Sequence, residues 1–575
     1  MSVIQKGKTW KNIEPPGTEA EKLARETGLP IWVSQILVRR GIKQPENANF
    51  FLDPALKELP SYQGLKGLDQ ALEILVPAIK QNKIIGVAGD YDADGVTATA
   101  LMVDFLRRLN ADVVYDLPHR LRDGYGFSPD SARRLARAGA QVVVTVDCGI
   151  SDHKGIETAQ SLGLSVVVTD HHQLPPGEMV PAEAVINPHQ PGCALASELA
   201  GVGVAFYLAA GLRAALKKEG YFKNHSEPNL LDSLDFVAVG TLADVVPVMR
   251  CNRILVKEGL KILNRFNRPG FKALALVAGQ RGPMDPRDIG FTLAPRINAA
   301  GRLDHPTKAL ELLLTKDYNQ ALFLAGELDR LNNRRKDVEQ RVFEEAREEY
   351  ESRADYKDAK CLVLAREGWH KGVLGIVASR MVTFTGKPIM LMTVEDGKAV
   401  GSARSLPGFH MQKALAGLEH LLTSYGGHAL AAAASLPTDK LSEFAHSLDL
   451  AAREQIPAQG LERPLEPEAQ VTLEDMNPKT MRILERLAPF GPGHPEPLLF
   501  LTNARVENSQ AVGKDSLHLK MEISQNGRTI RCFGFNLAQR RPSENATLDV
   551  VFSPRISNYG QRHIELMLED FRLAG

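Results

Sequence analysis

Three aspartates, Asp90, Asp92 and Asp94, alternate within Asp90-Tyr91-Asp92-Ala93-Asp94-Gly95. Carboxylates this close repel one another and raise each other's pKa unless a cation sits among them. Oxygen-rich sets of this kind suit hard divalent cations such as Mg²⁺ and Mn²⁺. Two further groups carry the same chemistry: Asp147 in Val146-Asp147-Cys148-Gly149, and Asp170-His171-His172. Taken singly, the first group also reads as a solvated turn, since Asp and Gly are ordinary turn residues. His171-His172 alone also reads as a surface or capping pair.

The elements around these residues decide between the readings. Apolar, β-rich runs predict strands over Ile84–Gly89, Asp112–Leu117, Val142–Asp147 and Val166–Asp170. Helices are expected between them, over Val96–Leu109, Pro129–Ala138 and Asp152–Leu162, with Ser128 an N-cap ahead of Pro129. Strands alternating with short helices indicate a parallel, doubly wound sheet. Each acidic group then lies at the C-terminal end of its own strand, the edge where open α/β sheets bind ligands. Solvated turns do not account for that repetition, and a metal centre does.

Other candidates follow along the chain. Asp244 lies in the apolar stretch Leu230–Val248 and is either a cation ligand or a helix cap. Arg296 and Arg302 bracket small residues in Leu293–His305, where backbone could approach a ligand. Phosphate binding and salt bridging both fit these arginines. From Asn319 to Ser352 the pattern predicts a long, highly charged connecting helix. A second α/β unit is expected from Ala359 to about Pro437, with strands over Cys361–Ala365, Pro388–Thr393 and Ala399–Ala403 and a helix over Gly372–Phe384. Its two Gly-containing clusters, Gly401-Ser402-Ala403-Arg404-Ser405 and Tyr425-Gly426-Gly427-His428, read as ligand-contacting loops or as plain turns. Beyond a Pro/Glu-rich linker, the segment after Val471 turns β-rich, and an oligonucleotide-binding type of barrel is expected. That segment is locally basic (Lys514, Lys520, Arg528, Arg531, Arg540, Arg541, Arg555, Arg562), and Phe533, Phe535 and Tyr559 could stack on bases or fill a core.

At 575 residues the chain needs several domains. The boundaries expected are a helical segment 1–62, a catalytic unit 63–318, the helix 319–353, a second α/β unit 354–453, a linker 454–467 and a barrel 468–575. Zero formal net charge excludes a global polyanion-binding field, so any nucleic-acid site is a local groove. Five scattered cysteines form no zinc or disulfide pattern, which suits a reducing cytoplasm. No signal core or membrane span is present in the sequence.

Five motifs in order carry a family resemblance: Asp-Tyr-Asp-Ala-Asp-Gly (90–95), Val-Asp-Cys-Gly (146–149), Asp-His-His (170–172), Gly-Thr-Leu-Ala-Asp (240–244) and Tyr-Gly-Gly-His (425–428). Together with Arg-Ile-Asn-Ala-Ala-Gly-Arg-Leu (296–303) and Gly-Trp-His-Lys-Gly-Val (368–373), they make the chain resemble the RecJ single-strand-specific DNA exonucleases of the DHH phosphoesterase superfamily. The resemblance runs from about Lys83 onward. It implies a DHH domain, a long helix, a DHHA1-type domain and an OB-like barrel. It also implies Mn²⁺ or Mg²⁺ dependence, with two divalent ions, and degradation of single-stranded DNA from its 5′ end to mononucleotides in repair and recombination. A single-strand-binding protein is the implied partner, and a cytoplasmic monomer the expected state.

By motif match, Asp92 and Asp147 hold one metal, while Asp94, Asp147, His171 and Asp244 hold the other. His172 faces the scissile phosphate, and Asp90 and Arg302 complete the catalytic set. One departure stands out. The superfamily's pyrophosphatase branch carries a His four residues before the first metal-binding Asp, where this chain has Ala88. Asp90 is the residue available to replace that imidazole. Substrate binding falls to Arg120, Arg296, Ser402, Arg404, Gly426, Gly427 and His428. Within this set, alternation along a strand puts Ser402 and Arg404 on one face, suited with Arg120 to a terminal 5′-phosphate. A small-molecule phosphoesterase would need the metal unit but not the barrel, and a DNA-binding scaffold would not need its carboxylates.

Overall fold

The structure is a computed structural model that describes residues 8–120, 122–175, 177–195, 198–457, 460–461, 464–557 and 563–575. Tyr559 and Arg562 of the proposed basic and aromatic set lie outside the described residues, as does the side chain of Lys514. The chain divides into two compact units.

The larger unit comprises Ser61–Asp244 and Gly259–Glu462. Its first sheet has strands β1 (Ile85–Ala88), β2 (Val113–Asp116), β3 (Val142–Val146), β4 (Ser165–Thr169) and β5 (Ala184–Ile186). All neighbours are parallel, in the order β2-β1-β3-β4-β5. The connection leaving β1 turns outward to β2, while the next returns past β1 to β3. The sheet therefore has a topological switch point between β1 and β3, where a crevice must open at the strand C-termini. One face carries Ala88, Val143, Val166 and Val168 against the helices Pro129–Arg137 and His153–Ser161. The Ser128 cap is made, its hydroxyl accepting from the Ser131 N–H at 3.1 Å.

The helix after β1 starts earlier than its apolar run suggested, spanning Ala93–Arg108. Asp92 is its N-cap and accepts from the N–H groups of Asp94 (3.0 Å) and Gly95 (3.1 Å). Asp94 therefore belongs to the first helical turn. Every residue from Ala93 to Leu106 is buried, because the helices Gly201–Lys218 and Leu234–Ala243 pack over it.

The 35-residue helix Tyr318–Ser352 is roughly 50 Å long at 1.5 Å per residue. Its first half buries Ala321, Leu324, Ala325 and Leu328. Farther along, Val342 and Ala346 enter the core of a second sheet. That sheet contains β6 (Leu362–Glu367), β7 (Ile389–Glu395), β8 (Lys398–Arg404), β9 (Ser424–Gly427) and β10 (Ala431–Pro437), ordered β6-β7-β8-β10-β9. The strand expected over Ala399–Ala403 is found as part of β8, which runs through Arg404, so the Gly401–Arg404 cluster lies on a strand and not in a loop. Tyr425–Gly427, read as a loop, belongs to edge strand β9. The small-residue segment bracketed by Arg296 and Arg302 lies on the helix Ala294–Leu303.

The other unit joins the described residues of Met1–Pro60, Val245–Glu258 and Arg463–Gly575. Strands β11 (Ala469–Gln470), β12 (Leu499–Val512), β13 (His518–Gln525), β14 (Arg528–Gly534), β15 (Thr547–Ser557) and β16 (His563–Leu573) form one sheet, and a β12–β15 pairing closes it into a five-stranded barrel. The helices Thr18–Thr27, Ile31–Arg39 and Pro45–Leu52 share this barrel's core, where Trp32, Ile36 and Leu52 cluster with Leu499, Val550 and Phe552. Arg253 is buried in this unit, its guanidinium donating to the carbonyls of Phe51, Arg486, Leu487, Ala488 and Pro489.

Candidate metal centre and end-binding pocket

At the β1/β3 switch point, four chain segments bring carboxylates and imidazoles together. Asp90, Asp92 and Asp94 follow β1, and Asp147 follows β3. His171 and His172 follow β4, and Asp244 caps the C-terminus of Leu234–Ala243. Asp147 takes a left-handed backbone, with φ of 62°, a conformation Asp tolerates better than most residues. Where the Asp147 carboxylate lies, helix Gly201–Lys218 begins with glycine. A methyl on Gly201 would stand 2.4 Å from Asp147 Oδ1. The first N–H groups of that helix, from Gly201 (2.7 Å) and Val202 (3.0 Å), donate to Asp94.

Electrostatics in this crevice are strained. Burial, then Asp92, pushes Asp94 up to about 7. Burial, then Asp94, pushes Asp244 up to about 9. Asp90 and Asp147 are raised by burial first and by neighbouring carboxylates next. His171 is held down to about 4 by burial, then by His172, so its imidazole is neutral and able to ligate. His172 behaves oppositely. Burial would lower its pKa, but its 2.7 Å hydrogen bond to Asp170 and the Asp170 charge hold it at about 9.

Several of these atoms lack partners. Asp90 Oδ1, Asp147 Oδ1, Asp244 Oδ2 and His171 Nε2 are shielded from solvent and make no hydrogen bond. Orphaned polar atoms of this kind are costly unless something else satisfies them. His171 Nε2 stands 3.1 Å from Asp147 Oδ1, 3.5 Å from Asp244 Oδ2 and 3.9 Å from Asp94 Oδ2. Donors about 2.1 Å from one octahedral ion stand about 3 Å apart when adjacent, so the set fits Mn²⁺ or Mg²⁺. Three groups among the described residues have ligand atoms close enough to share an ion: Asp94, His171 and Asp244; Asp90, Asp92 and Asp147; and Asp147, His171 and His172. Asp90 thus stands with Asp92 and Asp147, while Ala88 is buried in the sheet.

A second cluster is cationic. Arg302 donates to the Gly372 carbonyl at 3.0 Å, and its pKa is lowered to about 10 by burial, then by Arg120. Arg120 lies over the Tyr91 ring at 5.0 Å. Arg404 is also held below its usual range by burial, then by Arg120. Among the described residues, no carboxylate lies within ion-pair distance of Arg120, Arg302 or Arg404. Ser402 shares a face with Arg404 on β8, the strand's odd-numbered residues from 399 to 403 being buried.

Arg296 is buried and donates to Asp329 at 2.9 Å and to the Thr292 carbonyl at 2.7 Å, the salt-bridge arrangement of its two alternatives. Gly426, Gly427 and His428 sit on and just past exposed edge strand β9. Among the described residues, no hydrogen bond, ion pair or ring contact links them to the metal cluster.

Sequence reasoning missed four contributors. Tyr125 has its hydroxyl 3.0 Å from His172 Nδ1. Asn187 donates to the His172 carbonyl at 2.9 Å, and Asn298 accepts from the Ala93 N–H at 2.8 Å. Gly201 is the fourth. Only Gly201 left a local signal, a Gly-Val-Gly opening a helix.

Comparison with known proteins follows the same geometry. The chain matches the DHH family N-terminal domain over residues 84–241, the DHHA1 domain over 358–454 and the RecJ OB domain over 468–570. The single-stranded-DNA-specific exonuclease RecJ of Dickeya dadantii is 38% identical over 558 residues, covering 94% of this chain and 96% of that protein. The crystal structure of RecJ in complex with Mn²⁺ from Thermus thermophilus superposes with a TM-score of 0.81 at 32% identity, covering 99% of this chain and 81% of that one. The Mg²⁺ complex from the same organism gives a TM-score of 0.76 at 31% identity, covering 99% and 79%. Carboxylates gathered at a switch point, three domains matched in order and this likeness along nearly the whole chain place it in one family: the chain belongs to the RecJ single-stranded-DNA-specific exonucleases.

Proposed function

We propose that this chain is a metal-dependent exonuclease that hydrolyses single-stranded DNA from its 5′ end, releasing 5′-mononucleotides during DNA repair and recombination. The observation that carries the reading is the set of orphaned, mutually repelling ligand atoms on four chain segments at the β1/β3 switch point. Asp90, Asp92 and Asp147 would hold one divalent ion, and Asp94, Asp147, His171 and Asp244 the other, with Asp147 shared. Such a pair of ions, when bound, supplies an activated water and Lewis acidity at the scissile phosphate.

The chain's own groups do the rest. His172 is protonated near neutral pH, and Asp170 fixes its ring, so it presents a positive N–H donor to the phosphoryl oxygens. Arg302 adds a second fixed charge. Arg120, Ser402 and Arg404 form the pocket for a terminal 5′-phosphate, a dianion that carries more charge than an internal diester. That pocket makes the enzyme an exonuclease, since a bare metal site would cut internally.

In the barrel, His518, Phe533 and Phe535 form a cluster with ring centroids 4.9–5.9 Å apart, and Phe535 is 60% exposed. These rings give the strand a stacking surface. No helix among the described residues is long and apolar enough to cross a membrane. The working state we propose is a cytoplasmic monomer that receives its substrate from a single-strand-binding protein. The test is digestion of single-stranded DNA labelled at either end, with and without Mn²⁺, against a duplex control. Mn²⁺-dependent release of the 5′ label as a mononucleotide supports the reading, and internal cutting or metal-independent activity refutes it.

A further inference from the structure

The helix Ala294–Leu303 lies directly on the acidic turn. A methyl on Gly301 would stand 2.5 Å from the Tyr91 carbonyl oxygen, so the two backbones touch. One residue further, Arg302 reaches the Gly372 carbonyl. Asn298 is four residues before Arg302 and shares its helix face. Its Oδ1 accepts from the N–H of Ala93, the residue between the ligand candidates Asp92 and Asp94, at 2.8 Å.

This hydrogen bond fixes the side chain's orientation. Only the carbonyl oxygen of an Asn can accept from a backbone N–H, so its NH₂ must occupy the other branch. That Nδ2 has no hydrogen-bond partner among the described residues, and Asn298 is only half-buried. A neutral double donor is thus locked within one residue of two metal-ligand candidates, on the face that carries Arg302. Helix capping accounts for the oxygen, and the NH₂ makes no hydrogen bond to the described residues and is open to an incoming acceptor.

We propose that Asn298 is a catalytic residue whose side-chain N–H donates to a non-bridging oxygen of the scissile phosphate, neutral where His172 and Arg302 are charged. The inference rests on the exonuclease reading above. A preorganised donor aimed at developing oxyanion charge contributes on the order of 10²–10³ in kcat.

Two variants separate this role from capping. Asn298→Asp retains an acceptor for the Ala93 N–H and loses the donor, whereas Asn298→Ala loses both. Mn²⁺ affinity by calorimetry and melting temperature report whether the metal turn is intact. The decisive measurement is single-turnover cleavage of a 5′-phosphorylated strand with oxygen or sulfur at either non-bridging position of the terminal linkage. In Asn298→Ala, the all-oxygen rate should fall on the order of 100-fold, and the sulfur penalty at one diastereomer should shrink relative to wild type. Asn298→Asp should bind Mn²⁺ like wild type and still be slow. Sulfur penalties in Asn298→Ala equal to those of wild type at both positions, or a near-normal kcat in Asn298→Asp, would overturn the proposal. A wild-type protein that binds Mn²⁺ but leaves single strands intact would instead refute the exonuclease reading beneath it.

Discussion

Replacing Arg404 by Ala should cost end discrimination while sparing the fold. Its guanidinium donates one 2.8 Å hydrogen bond to the Ala403 carbonyl and has room beside Gly375, where a methyl would stand 2.8 Å from Nη2. No carboxylate among the described residues neutralises it, and burial, then Arg120, holds its pKa down. The free protein therefore carries a desolvated, repelled cation whose cost is offset only when an anion arrives. A hydrogen bond to a charged group contributes about 1.5–3 kcal/mol. At 1.36 kcal/mol per decade, that is about 10- to 150-fold in rate. Partial exposure of the pocket favours the lower half of this range.

The assay is the ratio of kcat/KM for 5′-phosphorylated against 5′-hydroxyl strands at fixed salt. Arg404→Ala should lower that ratio by the amount above. Arg404→Lys should fall between, since an ammonium keeps the charge but not the fork. Arg120→Ala should act more mildly, because Arg120 is partly engaged with the Tyr91 ring. The variant should melt no lower than wild type, because a repelled cation has been removed. An unchanged ratio, or a large drop in melting temperature, would show that Arg404 is structural and refute the reasoning.

Asp147→Asn keeps the left-handed backbone but loses the shared charge. It should abolish Mn²⁺-dependent hydrolysis and raise the metal-free melting temperature by relieving repulsion, and a near-wild-type rate would remove Asp147 from both ion sets. Phe535→Ala should weaken binding of long strands by about 1–3 kcal/mol and leave dinucleotide cleavage unchanged, as paired binding and turnover assays would show. Buried His494 is held at about 3 by burial, then by Arg40, whose Nη1 lies 2.6 Å from Nδ1. It is neutral when folded, whereas the unfolded chain takes up a proton below about pH 6.5. Stability should therefore be level above that value and fall as pH drops toward 3, by at most about 1.4 kcal/mol per unit. Urea midpoints of His494→Gln should lose part of that slope, and identical slopes in both proteins would exclude His494 as the source.

Much of the metal centre was legible because each ligand follows a short apolar run whose periodicity is local. Asp90, Asp147 and His171 could be assigned to one sheet edge from that pattern alone. The start of the helix at Ala93 was missed because the apolar run begins at Val96, while the true signal is a side-chain cap from Asp92. Strands β9 and β10 were missed because Ser424–Pro437 is rich in Ala and Gly, which carry little β signal. Asn298, Asn187 and Tyr125 act across long sequence separations, through single hydrogen bonds that leave no periodic trace. Arg296 was ambiguous for a related reason: only the fold reveals that Asp329 lies opposite it.

The shared core of the N-terminal helices and the barrel has a temporal consequence. Trp32, Val33, Ile36 and Leu37 leave the ribosome early, yet their partners on β12 and β15 lie more than 400 residues later. At about 5–20 residues per second, those apolar side chains wait roughly 20–80 s for a surface to cover them. The metal-binding unit, whose first sheet is complete by Ile186, can condense during that interval. The newborn chain therefore carries a folded catalytic body and an unsatisfied greasy leader at once. Its vulnerability to aggregation and proteolysis is concentrated in the helices Thr18–Thr27, Ile31–Arg39 and Pro45–Leu52, and chaperone demand should track translation speed through the middle of the message.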